Sequence, residues 1–441
     1  MARYKIANFE VDSGDPAFHV ALAQAYNSPN IEEVRPRCLC RRSEAGHERD
    51  EGIPMYISRL GETYLCKRMP NSAQEHTSEC DSYELPPEMT GYGAVLGSAI
   101  QEGPDGITTL KLDFSLTDGG GRAPSVAGDS DKTEVVSDGR KLSLRSTLHY
   151  LWHQAELNQW APGFAGKRNW WTIWNRIHAA VRDKTTKGLP LADILFVPEP
   201  FRVEAKDDIA ARRLATLSKI ASVESGKKRL MLLIAEYKEL QHTQYGQNFI
   251  AKHMPDFPLL MDDSILKRFS KAFSGEFEML RAHPNFHLMT IGTFSFSDLG
   301  IASLKKMDVM MVDENWLPFE DMYEKQIIDA LTAGHRRFDK MLRFNTPSNY
   351  PQPAVVMRDA APKTTALYIV HTDADEAYYK HLDEQAEKSK YLTWRWDLAQ
   401  NAIPSLPISM EEANKIDRES AARAAPTLNP HHFMTDAEKT V

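Results

Sequence analysis

Apolar positions along this chain recur at different periods, and each period predicts a different element. From Ser143 onward, Leu144, Leu148, Leu151, Trp152 and Ala155 fall three to four residues apart, which predicts a helix. Similar patterning predicts helices over residues 15–26, 169–181, 207–224, 265–282, 319–344 and 374–389. Short apolar runs at 55–58 and 63–67, joined by Leu60-Gly61-Glu62, read as a β-hairpin. Further strands are expected at 92–100, 108–116, 287–293, 309–312, 354–357, 366–370 and 392–396, with two short ones in 189–204 around Pro198-Glu199-Pro200. The uninterrupted Leu230-Met231-Leu232-Leu233-Ile234 within 229–237 marks a strand buried on both faces.

The alternation of strands and helices predicts an α/β core, α+β overall. Residues 118–140 are rich in Gly, Ser and Asp, with Gly119-Gly120-Gly121 among them, and read as a linker. This divides the chain into a β-rich module (1–117), a central α/β domain (141–345), a small α/β unit (346–410) after a proline-rich junction, and a polar tail (411–441).

Composition changes this picture little. A hydrophobic fraction of 42% and a charged fraction of 26% are ordinary for a globular chain. The formal charge of −8 argues against wholesale wrapping of nucleic acid and leaves room for local basic patches. No apolar run is long enough to span a membrane. The opening Met1-Ala2-Arg3-Tyr4-Lys5-Ile6 lacks the apolar stretch of a secretory leader, so a cytoplasmic setting is expected.

The cysteines change it more. All four, Cys38, Cys40, Cys66 and Cys80, lie in the first 80 residues. In a reducing compartment such a cluster points to a metal rather than to disulfides. Cys38-Leu39-Cys40 and His76-x3-Cys80, on separate loops, supply four soft ligands for a closed, structural zinc site. Cys66 falls on a hairpin strand between apolar neighbours and reads as a small hydrophobe. Were it to replace His76, the site would be four-cysteine.

Two stretches carry the Glu-x-Lys spacing that puts a carboxylate and an amine on one face of a strand. One is Glu204-Ala205-Lys206, with Asp193 upstream; the other is Glu236-Tyr237-Lys238. In restriction-type nucleases such carboxylates hold magnesium and the Lys aids the attacking water. The tripeptide is common, so a solvated strand end is the competing reading. The 346–410 unit has the same outline without the acid and lysine, as a degenerate restriction-endonuclease-like unit.

Cations and indoles interleave over 166–176, where Lys167, Arg168 and Arg176 flank Trp170, Trp171 and Trp174. That composition suits single-stranded nucleic acid. The i, i+4, i+7 spacing of Trp170, Trp174 and Ile177 assigns those three side chains to a core stripe instead. Arg336, Lys340 and Arg343 would share one helical face as a phosphate-tracking ridge or a solvated surface. No phosphate-cradling glycine loop and no Gly-x-Ser-x-Gly elbow occurs, which disfavours nucleotide hydrolysis and serine chemistry.

Several of these segments together resemble a bacterial family, domain of unknown function 1173. They are Cys38-Leu39-Cys40, Met55-Tyr56-Ile57, Lys67-Arg68-Met69-Pro70, His76 through Cys80, Tyr83-Glu84, Leu148-His149-Tyr150-Leu151-Trp152, Trp316-Leu317-Pro318-Phe319 and Arg337-Phe338-Asp339-Lys340. The resemblance covers roughly residues 30–410. It implies a setting on integrative conjugative elements and plasmids, no established activity, and one motif containing Cys38, Cys40, His76 and Cys80 but not Cys66. The layout is also similar to competence proteins in which a zinc-knuckle-like segment precedes a nuclease-like domain. The expectation is a nucleic-acid- or protein-binding factor of a mobile element with structural zinc. A magnesium-dependent nuclease and a scaffold that touches no nucleic acid are the alternatives.

Overall fold

The computed structural model describes residues 2–43, 46–47, 50–60, 63–69, 72–77, 80–83, 90–103, 106–118, 140–220, 228–243, 246–297, 299–347, 349–400 and 402–424. Most of the expected linker, 119–139, and the end of the expected tail, 425–441, lie outside them.

The chain is a mixed α+β protein. Its first sheet has the order β2-β1-β3-β4-β5, from β1 (Arg3–Ile6), β2 (Phe9–Asp12), β3 (Arg37–Cys38), β4 (Ile53–Leu60) and β5 (Thr63–Arg68). Helix α1 (Pro16–Tyr26) starts where the Asp15 carboxylate accepts from the backbone N–H of Ala17, with Pro16 in the first turn, and α2 (Ile31–Val34) follows. Gly52 stands just before β4 at φ +91°, and a Cβ there would come within 2.9 Å of the Cys38 carbonyl, so only glycine fits.

β6 (Ile100–Glu102) and β7 (Thr108–Leu110) join β10 (Lys184–Thr186) and β11 (Leu189–Pro190) in a second sheet, while β8 (Thr117–Asp118) pairs with β13 (Lys228–Arg229). The strand expected at 92–100 is instead a run of turns as far as Ala99. Between these strands lie α3 (Leu144–Gln154), β9 (Gln159–Trp160) and α4 (Trp170–Ala180), the two helices capped by Ser143 and Asn169.

The centre is a closed barrel. After β12 (Leu195–Phe196) and α5 (Lys206–Ile220) come β14 (Met231–Thr243), β15 (Gly246–Ala251), β16 (Met254–Met261), α6 (Asp263–Ala272), α7 (Ser274–Ala282), β17 (His287–Phe296) and β18 (Ala302–Val312). Strand β14 changes partner midway. Residues 231–236 pair with β17 and residues 237–243 with β15. Leu232 N–H donates to Ile194 O, and Glu236 O accepts from Lys252 N–H, so β12 and β15 lie along one edge of β14 and β17 along the other. The circuit runs β14-β15-β16-β18-β17 and back to β14, with β16 and β18 parallel and the helices inserted between β16 and β17. This is the Greek-key connectivity of OB-type barrels. Gly292 is required inside it, because a Cβ there would sit 2.8 Å from Lys306 O.

Residues alternate between two cores along β14. Met231, Leu233 and Ala235 face the barrel interior; Leu232 and Ile234 face α3 and α4. Burial on both faces explains the unbroken apolar run. The last sheet, β22-β21-β20-β19-β9, comprises β19 (Phe338–Lys340), β20 (Val355–Met357), β21 (Thr365–Val370) and β22 (Leu392–Asp397), with β9 at its edge. Helix α8 (Met322–Ala333) precedes it; α9 (Glu376–Lys388) lies between β21 and β22, and α10 (Met410–Ala424) follows. Strand β21 repeats the two-faced pattern. Leu367 and Ile369 join the barrel core, whereas Ala366, Tyr368 and Val370 join a third core with Tyr4, Leu22, Met55 and Tyr83 of the N-terminal module.

Candidate metal centre

The four side chains Cys38, Cys40, His76 and Cys80 converge. Cys38 ends β3, Cys40 opens a 3₁₀ turn, and the 72–80 segment after the β4–β5 hairpin brings His76 and Cys80 back to them. Their ligand atoms all lie within 4.8 Å of one another. Cys38 Sγ is 3.7 Å from Cys80 Sγ, and His76 Nδ1 is 3.5 Å from the sulfurs of both Cys40 and Cys80. With metal bonds of about 2.3 Å to sulfur and about 2.0 Å to nitrogen, a tetrahedron has edges of about 3.8 and 3.5 Å. The group therefore fits one four-coordinate metal ion with no position left open.

Its electrostatics suit the same conclusion. The Cys40 thiol is held well below the ordinary thiol range, above all by a hydrogen bond from Cys38, then by one from Cys80. Cys38 is pushed up as the donor to Cys40 and to Cys80, and by burial. Thiols this close cannot all ionise unless a cation joins them, and metal binding exchanges the protons for that cation. Cys66 stands apart. It lies on β5 outside the group, and burial pushes its thiol up to about 12.

The remaining candidates do not form one site. Asp193 is exposed in a 3₁₀ turn, and Glu204 and Lys206 occupy a 3₁₀ turn and the first position of α5, not a strand. The acids Asp207 and Asp208 in the first turn of α5 favour helix over the extended reading. Glu236 and Lys238 do lie on β14, but the pairing slips between Tyr237 and Glu239. This bulge leaves Glu236 3% exposed, whereas Lys238 reaches solvent beside Glu239. Among the described residues, no metal-sized group of three or more ligands contains Asp193, Glu204 or Glu236. A second such group, Asp313, Glu314 and Asp329, shares the Lys325 ammonium through Glu314 and Asp329.

Glu236 instead anchors a cluster for which the spacing of residues offered no signal. It accepts hydrogen bonds from Lys252 Nζ (2.8 Å), His253 Nε2 (3.2 Å) and His287 Nδ1 (2.7 Å). His253 stacks on Trp170 with centroids 4.5 Å apart, and His287 stacks on Trp316 at 4.1 Å. Burial is the largest influence on this carboxyl and pushes it up. The hydrogen bonds from His253, His287 and Lys252 outweigh it and hold the group far below the usual carboxylate range. The cluster ties the β15–β16 turn and the start of β17 to the N-terminus of α4.

The expected basic ridge is corrected too. The helix expected over 319–344 ends at Ala333, and residues 338–340 are a strand. Arg336 pairs with Asp359 and donates to Pro407 O, and Lys340 is buried against Glu324. Arg343 donates to the carbonyls of Pro347 and Tyr350. These are interior cations that tie segments together. Arg168 behaves likewise, donating to Leu157 O and Asn315 O and lying over the Trp160 ring; Arg176 pairs with Glu156. Lys167 alone of that trio is exposed.

A family model described as "Protein of unknown function (DUF1173)" matches residues 4–399. No curated protein and no solved structure matches the chain significantly.

Proposed function

The chain belongs to the DUF1173 family, and on that premise we propose that it binds single-stranded nucleic acid, with its N-terminal module held by structural zinc. The observation that carries the reading is an aromatic ladder on α4. The Trp171 indole is 57% exposed and stacks on Trp174 with centroids 5.4 Å apart and planes 12° apart. Trp174 in turn contacts His178 at 4.2 Å. Exposed Lys167 and Arg182 flank the ends of the helix. A large exposed indole is costly to maintain in water and offers a π-face to any base, while the flanking cations suit phosphates. Trp170, one residue earlier, is buried and stacked on His253, so the ladder is fixed rigidly to the barrel. OB-type barrels commonly bind oligonucleotides, which supports the reading by analogy.

Zinc is the metal proposed, since three thiolates and one imidazole in a closed tetrahedral set match its structural sites. All four positions are filled by protein, so the ion's role is architectural. The mobile-element setting implied by the sequence resemblance is part of the same proposal.

The test is a gel-shift titration of labelled single-stranded DNA and RNA at two salt concentrations without magnesium. A salt-dependent shift is expected, and Trp171→Ala should weaken it about tenfold, the equivalent of one base stack. A wild-type protein that shifts neither polymer, or a Trp171→Ala variant that binds as well as wild type, would overturn the reading.

A further inference from the structure

The three sulfurs of the metal group are not equally enclosed. Cys38 is 1% exposed and Cys80 7%, and the His76 ring behind them is 1% exposed. Cys40, which opens the 3₁₀ turn, is only half-buried and is the least closely surrounded of the three. A reagent the size of water meets the group at Cys40 first. Oxidation susceptibility follows thiolate character and access together. A metal supplies the first of these outright, because a coordinating thiol is deprotonated.

Both other sulfurs lie within 4.8 Å of Cys40 Sγ, so an oxidised Cys40 has a second sulfur at hand. The two are not equivalent. Cys38 stands two residues earlier, at the end of β3, and Leu39 N–H still donates to Arg3 O. Alternate residues of an extended strand are about 6.6 Å apart, near the upper limit of Cα separation for a disulfide. Cys80 reaches the group from the separate 72–80 segment and carries no such restraint. Cys66 provides an internal contrast in the same module. It is also half-buried, but it lies outside the group, and burial pushes its thiol up to about 12. It stays protonated at neutral pH and is a poor nucleophile.

We infer that the metal group is a peroxide-sensitive switch, in which Cys40 is the sulfur oxidised and Cys80 the sulfur that resolves it. The inference rests on the proposed zinc binding, which keeps both sulfurs as thiolates. The Cys40 thiolate attacks one oxygen of hydrogen peroxide. An S–O bond forms, the O–O bond breaks and hydroxide leaves, with a sulfenic acid on Cys40. The Cys80 thiolate then attacks that sulfur and expels a second hydroxide, leaving a Cys40–Cys80 disulfide. Each sulfur has lost one electron, and the two peroxide oxygens have gained them. Cys38 and His76 are then the two ligands left of four, and the metal ion departs. A dithiol reductant returns both thiolates and allows the ion to rebind.

Hydrogen peroxide added to the full-length protein, with zinc content measured beforehand, tests it. A chromogenic chelator reads released zinc, and peptide mapping without reductant reads the state of each cysteine. Zinc should be lost in step with a Cys40–Cys80 disulfide, with Cys66 unmodified, and dithiothreitol with added zinc should restore the starting state. Cys66→Ser should release zinc at the wild-type rate. Protein that carries no zinc yet forms the Cys40–Cys80 disulfide upholds the sulfur pair while the zinc reading fails. Protein that holds its zinc, with all four cysteines intact at a peroxide dose that oxidises free glutathione, overturns the switch and leaves the zinc reading standing. Intact cysteines in zinc-free protein, a first disulfide to Cys38, or loss of Cys66 ahead of Cys40 would overturn the inference as well.

Discussion

The cysteine group and the Glu236 cluster are both buried polar constellations, yet they differ in what they still need. Glu236 is complete: three donors meet its two oxygens, and two indoles hold the donors in place. The group of Cys38, Cys40, His76 and Cys80 is made of acceptors in waiting, with one thiol held low by its neighbours and no cation of the protein's own among the four. A constellation that satisfies itself holds elements together. One that does not is shaped for something else to enter. The difference separates a structural knot from a binding site more reliably than burial does, since both are buried.

The comparison breaks most visibly if metal is withdrawn. Purified protein should carry close to one zinc ion per chain. A strong chelator, or Cys38→Ser with Cys80→Ser, should unfold the N-terminal module, because metal binding in such sites contributes on the order of 10 kcal/mol. Metal analysis and limited proteolysis read this out. A metal content near zero, or a module equally protease-resistant with chelator, would place the cysteine group in the same class as the Glu236 cluster.

The next effect is smaller. Glu236→Ala leaves two largely buried imidazoles and the half-exposed Lys252 ammonium without their acceptor and should cost about 2–3 kcal/mol in denaturant unfolding, with chelator sensitivity unchanged. The pH dependence carries the sign. The folded-state carboxyl titrates below its ordinary 4.5, so its contribution is fully present above that pH. It is lost progressively as pH falls below 4.5. Glu236→Gln should flatten this acid limb of the stability profile; a limb as steep as that of the wild type would mean that other carboxylates set it.

The smallest effect tests the bulge. Lys238→Ala removes only an exposed pair with Glu239, 3.1 Å apart, and should change stability by less than about 0.5 kcal/mol. A cost similar to that of Glu236→Ala would show that the two side chains act together after all.

What was legible in the sequence follows the same division. The metal ligands could be read because cysteine and histidine are rare and their chemistry is narrow. Helices α1, α3, α4 and α9 could be read because their caps and apolar stripes are local. The barrel could not. Strands β15 and β16 carry Asn248, Pro255, Asp256 and Pro258 and break the apolar alternation, so nothing in 246–261 announced them. Closure depends on β14 changing partner, which is a long-range event. The helix expected through residue 344 failed at Gly334, the C-cap of α8, followed by His335 at φ +52°. His253 and His287, each alone in its segment, gave no hint that they would meet across Glu236.

The third core has a consequence in time. Tyr4, Leu22, Met55 and Tyr83 rest on Val356, Ala366, Tyr368 and Val370, so the module is made first and its seat last. About 270 residues separate Tyr83 from Val356, roughly 15 to 55 s of synthesis at ribosomal rates. Throughout that interval the nascent module has no partner surface to rest on, and its exposed apolar face is open to misassembly. All four side chains of the proposed metal site are in hand once Cys80 leaves the ribosome. Under the proposed zinc binding, ligation would act as a temporary chaperone built into the chain, holding the module in shape until the sheet it leans on has been translated.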